Sequence, residues 1–267
     1  MHADTDIGLG DLLVRYRAQG EGAVVVLVHG LGQDHQMWSG IQAALPDFRT
    51  IAYDLRGHGG SSLGSANGSM AQLAEDLIAA LQQWGPATVV GFSLGGSIAL
   101  WAASERPDLV TGVIAVATSS VVGSAAASSL ADRIEIFESG DASQMRQIVL
   151  ADTQAQLAGA DVDPELVTRQ RLAAIGDGSG YVNGARAVIS MRTDRLQDRL
   201  VRISAPVLVV SGEVDPWCPR RAADIMRDEL PHSDFVEMTG VGHLVTDVAE
   251  ADLSRIIRTH LEENPHD

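Results

Sequence analysis

The chain has 267 residues, 45% hydrophobic and 20% charged, which suits one large α/β domain or a domain carrying an insertion. Its formal net charge is −16, which argues against nucleic acid or an anionic membrane as partner. All 19 basic residues are arginine, so Schiff-base and Ser-Lys chemistries are excluded.

Cys218 is the single cysteine and has no internal partner, as expected of a protein in a reducing cytoplasm. No Cys/His cluster has metal-ligand spacing, so no metal is expected. Residues 1–6 are polar and acidic, unlike the start of a secretory signal, and no apolar run approaches the ~20 residues that span a bilayer.

Residues 12–16, followed by Gly20-Glu21-Gly22, read as an edge strand entering a turn. Residues 23–28 are apolar without alternation, the pattern of a strand covered on both faces in a parallel sheet. The run stops at His29-Gly30-Leu31-Gly32, a glycine-flanked loop at the strand's C-terminal end, where open α/β sheets place their sites. That loop reads as a tight turn or as backbone able to approach a carbonyl, with the Leu31 amide donating to an oxyanion. Trp38, on the helix that follows, is a candidate for the pocket mouth or for plain packing. Residues 49–54 form the next strand, and Asp54, Arg56 and His58 in the glycine-rich turn after it read as a structural brace with an Asp–Arg pair. Residues 70–84 have helical apolar spacing, closed by Gly85-Pro86.

Thr88-Val89-Val90 then leads into Gly91-Phe92-Ser93-Leu94-Gly95, followed at once by a small-residue helical pattern. Strand, Gly-x-Ser-x-Gly and helix in succession describe a nucleophile elbow. Ser93 is expected in strained backbone, and Gly91 and Gly95 let strand and helix pass closely. The hydroxyl would face the helix N-terminus, where the Leu94 amide is the second oxyanion donor.

Residues 109–117 supply another buried strand, after which strand signals stop until about residue 191. Helical patterns at 130–137, 145–157, 164–175 and 181–191 read as an inserted cap over the strand ends. The expected organisation is thus core at 1–118, cap at 119–192 and core again at 193–267. Pocket candidates, besides Trp38, are Phe137, Tyr181, Met191 and Trp217. Residues 205–212 resume the sheet and place Asp215 just past a strand. Residues 235–238 are the last strand, with Gly240-Val241-Gly242-His243 after it and an amphipathic helix from about 248 to 262.

Ser93, Asp215 and His243 occur in the order nucleophile, acid, base, each directly after a strand. A serine hydroxyl needs an imidazole to take its proton, and a carboxylate to orient that imidazole. The rival acids Asp194 and Asp198 precede their strand, and Glu213 comes too early; His232 and His260 read as surface residues.

Over nearly its whole length the chain resembles the α/β-hydrolase superfamily. The matching pieces are His29-Gly30-Leu31-Gly32, Asp54-Leu55-Arg56-Gly57-His58-Gly59, Gly91-Phe92-Ser93-Leu94-Gly95-Gly96, Gly212-Glu213-Val214-Asp215 and Gly242-His243. Within it, residues 33–38 and 180–194 are similar to 3-oxoadipate enol-lactone hydrolases, whereas Ala249-Glu250-Ala251-Asp252 stands where the family commonly has Glu-x-Pro. The resemblance implies an α/β-hydrolase fold with a mostly parallel sheet, helices on both faces and an inserted helical cap. It implies a cofactor-free serine hydrolase cleaving a small carboxylic ester or lactone through an acyl-enzyme. The same triad elsewhere serves C–C bond hydrolysis, perhydrolysis, or lyase and cyclase steps, and a non-catalytic binder on this fold is the alternative outside enzymes. A small-molecule substrate is the only partner expected, and the oligomeric state stays open.

Overall fold

Eight strands make one sheet in the computed structural model, which describes residues 3–230 and 232–265. They are β1 (Thr5–Leu9), β2 (Leu12–Gln19), β3 (Val24–Val28), β4 (Arg49–Tyr53), β5 (Ala87–Phe92), β6 (Val110–Val116), β7 (Val207–Gly212) and β8 (Ser233–Met238). Their spatial order is β1-β2-β4-β3-β5-β6-β7-β8. The β1–β2 and β2–β4 pairs are antiparallel and every other pair is parallel. Residues 12–16 are therefore not an edge: β2 lies between β1 and β4. The edge on this side is β1, largely exposed, with Asp6 opposite Arg15 and its Oδ1 accepting from Arg15 Nε at 2.7 Å.

The helices are α1 (Ser39–Ala44), α2 (Met70–Trp84), α3 (Leu94–Glu105), α4 (Ser124–Ser139), α5 (Ala142–Leu157), α6 (Pro164–Ile175), α7 (Ser179–Ser190), α8 (Arg220–Glu229) and α9 (Val245–Glu263). Successive side chains of a strand point to opposite faces, so a strand covered on both sides is apolar at nearly every position. Val26, Val28, Val89 and Val113 pack with Leu77, Leu81 and Ile98 of α2 and α3. Their neighbours Val25, Leu27, Val90 and Ile114 pack on the opposite face with Ile41, Leu253 and Ile257 of α1 and α9. This double burial is the cause of the unbroken apolar runs.

All four helices α4 to α7 lie between β6 and β7 in the chain. Local chemistry sets where α5 and α6 start. The side chain of Asp141 accepts from the amides of Ser143 and Gln144, and that of Asp163 accepts from Glu165 with Pro164 in the first turn. The Ala/Ser run at 124–129 forms the first turns of α4, ahead of the apolar spacing that marks the rest. Leu130, Ile134, Phe137, Tyr181 and Val182 form a small core of their own. No helix among the described residues is long and apolar enough to cross a membrane.

Candidate active site

Ser93 follows β5 directly with φ 51° and ψ −115°, a region that L-residues rarely occupy. The position is held from several sides. Its N–H donates to Val116 O at 2.9 Å, and Thr118 Oγ1 donates to Ser93 O at 2.6 Å. A Cβ on Gly91 would lie 2.2 Å from Gly95 O, and one on Gly95 would lie 2.3 Å from Val28 O. Only glycine permits α3 to start this close to β3 and β5. The Ser93 side chain makes no cap bond to α3, so its hydroxyl is available to another partner.

That partner is His243. The loop after β8 brings its Nε2 to 3.1 Å from Ser93 Oγ, and its Nδ1 lies 2.7 Å from Asp215 Oδ2. The other carboxylate oxygen, Asp215 Oδ1, accepts the amides of Trp217 at 2.8 Å and Cys218 at 2.9 Å. Asp215 and His243 are both buried. The rival acids point elsewhere. Asp194 pairs at the surface with Arg199 at 2.9 Å, Asp198 lies 3.7 Å from Arg195, and Glu213 accepts the Gly240 amide at 2.8 Å.

Leu31 and Leu94 line the same cavity as Ser93 and His243. As the first residue of α3, Leu94 has an amide without an intrahelical acceptor. The His29-Gly30-Leu31-Gly32 loop is braced by His29, whose Nε2 accepts the Leu55 amide at 2.8 Å while its Nδ1 faces Gly30 O at 2.7 Å. Burial, reinforced by nearby His58, pushes the His29 pKa down to about 3, so the ring is neutral. His58 accepts the Gly32 amide at 3.4 Å, and burial lowers its pKa too. The Asp–Arg pair expected in this brace is not Asp54–Arg56. Arg56 holds Asp76 with two bonds at 2.9 and 2.6 Å, and Asp54 holds His35 at 2.7 Å.

The cavity encloses about 400 Å³. Tyr181, Met191 and Trp217 line it; Trp38 and Phe137 do not. Trp38 is fully buried among Ile41, Leu45 and Leu253 on one face of the sheet. Phe137 stacks behind Tyr181, with ring centroids 4.1 Å apart and planes at 16°. In both cases the helix turns the ring toward a core that a single sequence does not reveal. His260, expected at the surface, is buried on α9, whereas His232 is exposed. Gln156, Arg133, Arg171 and Cys218 also line the cavity and belong to no motif.

Two groups of metal-type ligands come together among the described residues, Asp215/Cys218/His243 and Asp34/His35/Asp54. In each, the carboxylate already bonds the histidine ring.

A strained serine after a parallel strand, an imidazole and a carboxylate on later strand ends, and a helical insertion above them recur in one group of enzymes. The model of the alpha/beta hydrolase fold family matches residues 23–160, just over half the chain. The chain belongs to the α/β-hydrolase fold family. A second family model, described as TAP-like protein, matches residues 186–264 of this α/β hydrolase. A pimeloyl-[acyl-carrier protein] methyl ester esterase of Serratia marcescens is 30% identical over 216 residues, covering 78% of this chain and 82% of the esterase. 3-Oxoadipate enol-lactonase 2 of Acinetobacter baylyi is 29% identical over 241 residues, 88% of this chain and 87% of that one. In fold, the hydrolase superposes on the enol-lactonase from Burkholderia xenovorans LB400 with a TM-score of 0.86 at 22% identity, over 97% of this chain and all of the other. The resemblance to enol-lactone hydrolases expected from the sequence therefore stands in both comparisons, and the protein is a hydrolytic enzyme.

Proposed function

We propose that this hydrolase cleaves a small carboxylic ester or lactone, enol-lactones included, with Ser93 as nucleophile, His243 as general base and acid, and Asp215 as the group that orients His243. The observation that carries the reading is the continuous chain Ser93 Oγ to His243 Nε2 at 3.1 Å and His243 Nδ1 to Asp215 Oδ2 at 2.7 Å, opening on a cavity. Ser93 Oγ attacks the substrate carbonyl while His243 Nε2 takes its proton. The tetrahedral oxygen then accepts from the Leu31 and Leu94 amides. His243 returns the proton to the departing oxygen, which stays tethered when the substrate is a lactone. Water attacks the acyl-serine with His243 as base, and the acid leaves. In this reading α4 to α7 act as a cap that limits water and shapes the cavity. The names of the relatives, an esterase and an enol-lactonase, support the substrate class.

Mass spectrometry of the intact protein after treatment with a fluorophosphonate tests the assignment. One adduct on wild type that is absent from Ser93→Ala supports it. An unlabelled, folded wild type overturns it.

A further inference from the structure

Arg171 lies on the buried face of α6, four residues after Val167 and four before Ile175, and is only 6% exposed. An arginine in that position needs a partner, because a buried unpaired charge is strongly destabilising. The partners it has are neutral and engage one nitrogen: Nη1 donates to Thr153 Oγ1 at 2.9 Å and to Gln156 Oε1 at 2.8 Å. Nε is buried with no acceptor, and no carboxylate among the described residues pairs with the guanidinium. Asp152 and Asp247 act on it only at a distance, and burial pulls its pKa down.

Other arginines of the chain show what is missing. Arg15, Arg56, Arg106 and Arg133 each present the Nε–Nη2 edge to a carboxylate, on Asp6, Asp76, Asp108 and Asp152 respectively. Arg133 lines the same cavity as Arg171, yet Asp152 already neutralises it at 2.8 and 2.5 Å. Arg171 is the buried arginine of that cavity whose Nε has no acceptor and with which no carboxylate among the described residues pairs, on a chain whose net charge of −16 would otherwise repel an anion.

We infer that the Nε–Nη2 edge of Arg171 receives a carboxylate of the substrate, which makes the natural substrates esters or lactones of small dicarboxylic acids. This rests on the hydrolase reading above and narrows its substrate class. The acyl part stays in the cavity through both half-reactions, so a carboxylate on it is held until the product acid leaves. Thr153 and Gln156 fix Nη1 and aim the opposite edge, which suits bidentate recognition of a carboxylate.

The test compares p-nitrophenyl hemiesters of succinate, glutarate and adipate with neutral p-nitrophenyl esters of matched length. In wild type, the best hemiester should be favoured in kcat/KM by about tenfold or more. In Arg171→Gln that ratio should fall by about tenfold or more, chiefly through KM, and Arg171→Lys should restore it only in part. Equal kcat/KM for the two series in wild type, or a ratio unmoved by Arg171→Gln, overturns the inference while leaving the hydrolase reading intact. Calorimetry with monomethyl glutarate on Ser93→Ala protein provides a readout independent of turnover. Binding that disappears in Ser93→Ala/Arg171→Gln supports the inference even if no ester is cleaved. Absence of binding in Ser93→Ala overturns it.

Discussion

The main-chain oxygen of Gln156 accepts the N–H of His243 at 2.8 Å, so the histidine loop hangs from the end of α5 as well as from the sheet. The neighbouring Gly242 makes this approach possible, since a Cβ there would lie 2.5 Å from the same oxygen. Gly242→Ala should therefore displace His243 from Ser93. A loss in kcat of about tenfold or more is expected, with a destabilisation of about 1–3 kcal/mol. Steady-state kinetics and thermal melts read both effects, and a wild-type kcat would mean that the loop has slack the distances do not show.

Ser93 pairs the proposed nucleophilic hydroxyl with left-handed backbone, φ 51°. Ser93→Gly removes the hydroxyl and also relieves the strain. Turnover and fluorophosphonate labelling should vanish while stability rises by about 1 kcal/mol, the size of a relieved backbone conformation less the entropy that glycine adds to the unfolded chain. Denaturant unfolding beside wild type measures it. A less stable glycine variant would mean that the hydroxyl contributes more to the fold than its lack of a cap bond indicates.

Asp215→Asn keeps the shape of the site but presents the wrong partner to His243 Nδ1. A fall in kcat of about three to four orders of magnitude is expected. Asp194→Asn loses one exposed pair with Arg199 and should stay within about twofold of wild type. The reverse ranking would reassign the acid.

His29 makes stability depend on pH. Its pKa is 6.5 when unperturbed and about 3 in the fold, so between these values the unfolded chain binds the additional proton. The contribution is full above pH 6.5 and is lost as pH falls toward 3. Wild type should thus lose about 2 kcal/mol more than His29→Gln between pH 7 and pH 5. His58, whose pKa is also lowered, is common to both proteins and drops out of the difference. Urea unfolding at the two pH values measures it, and parallel losses would mean that His29 titrates normally.

Much of this architecture was legible because both faces of the parallel strands are covered, which leaves β3, β5, β6 and β7 almost wholly apolar, with Thr88, Thr111 and Ser211 as the polar exceptions. The Ser93 and Asp215 positions were legible because each follows such a strand, and His243 because it ends the Gly240-Val241-Gly242 turn after β8. β1 was not, because only Ile7 and Leu9 of the mostly exposed Thr5-Asp6-Ile7-Gly8-Leu9 face the core, too few apolar residues to mark a strand. Trp38 and Phe137 are pocket candidates in the sequence, Trp38 with plain packing as its alternative, and the helix phase that buries each elsewhere depends on contacts far along the chain. Arg171 does carry a sequence signal, belonging to no motif: a cation spaced at four residues from Val167 and Ile175 interrupts an apolar helical face.

Gln156 serves two masters, its carbonyl carrying His243 and its side chain carrying Arg171. The helical insertion therefore cannot be treated as an interchangeable module. A graft taken from a relative would have to bring its own support for the histidine loop, and a change made at the end of α5 would be transmitted to His243 itself.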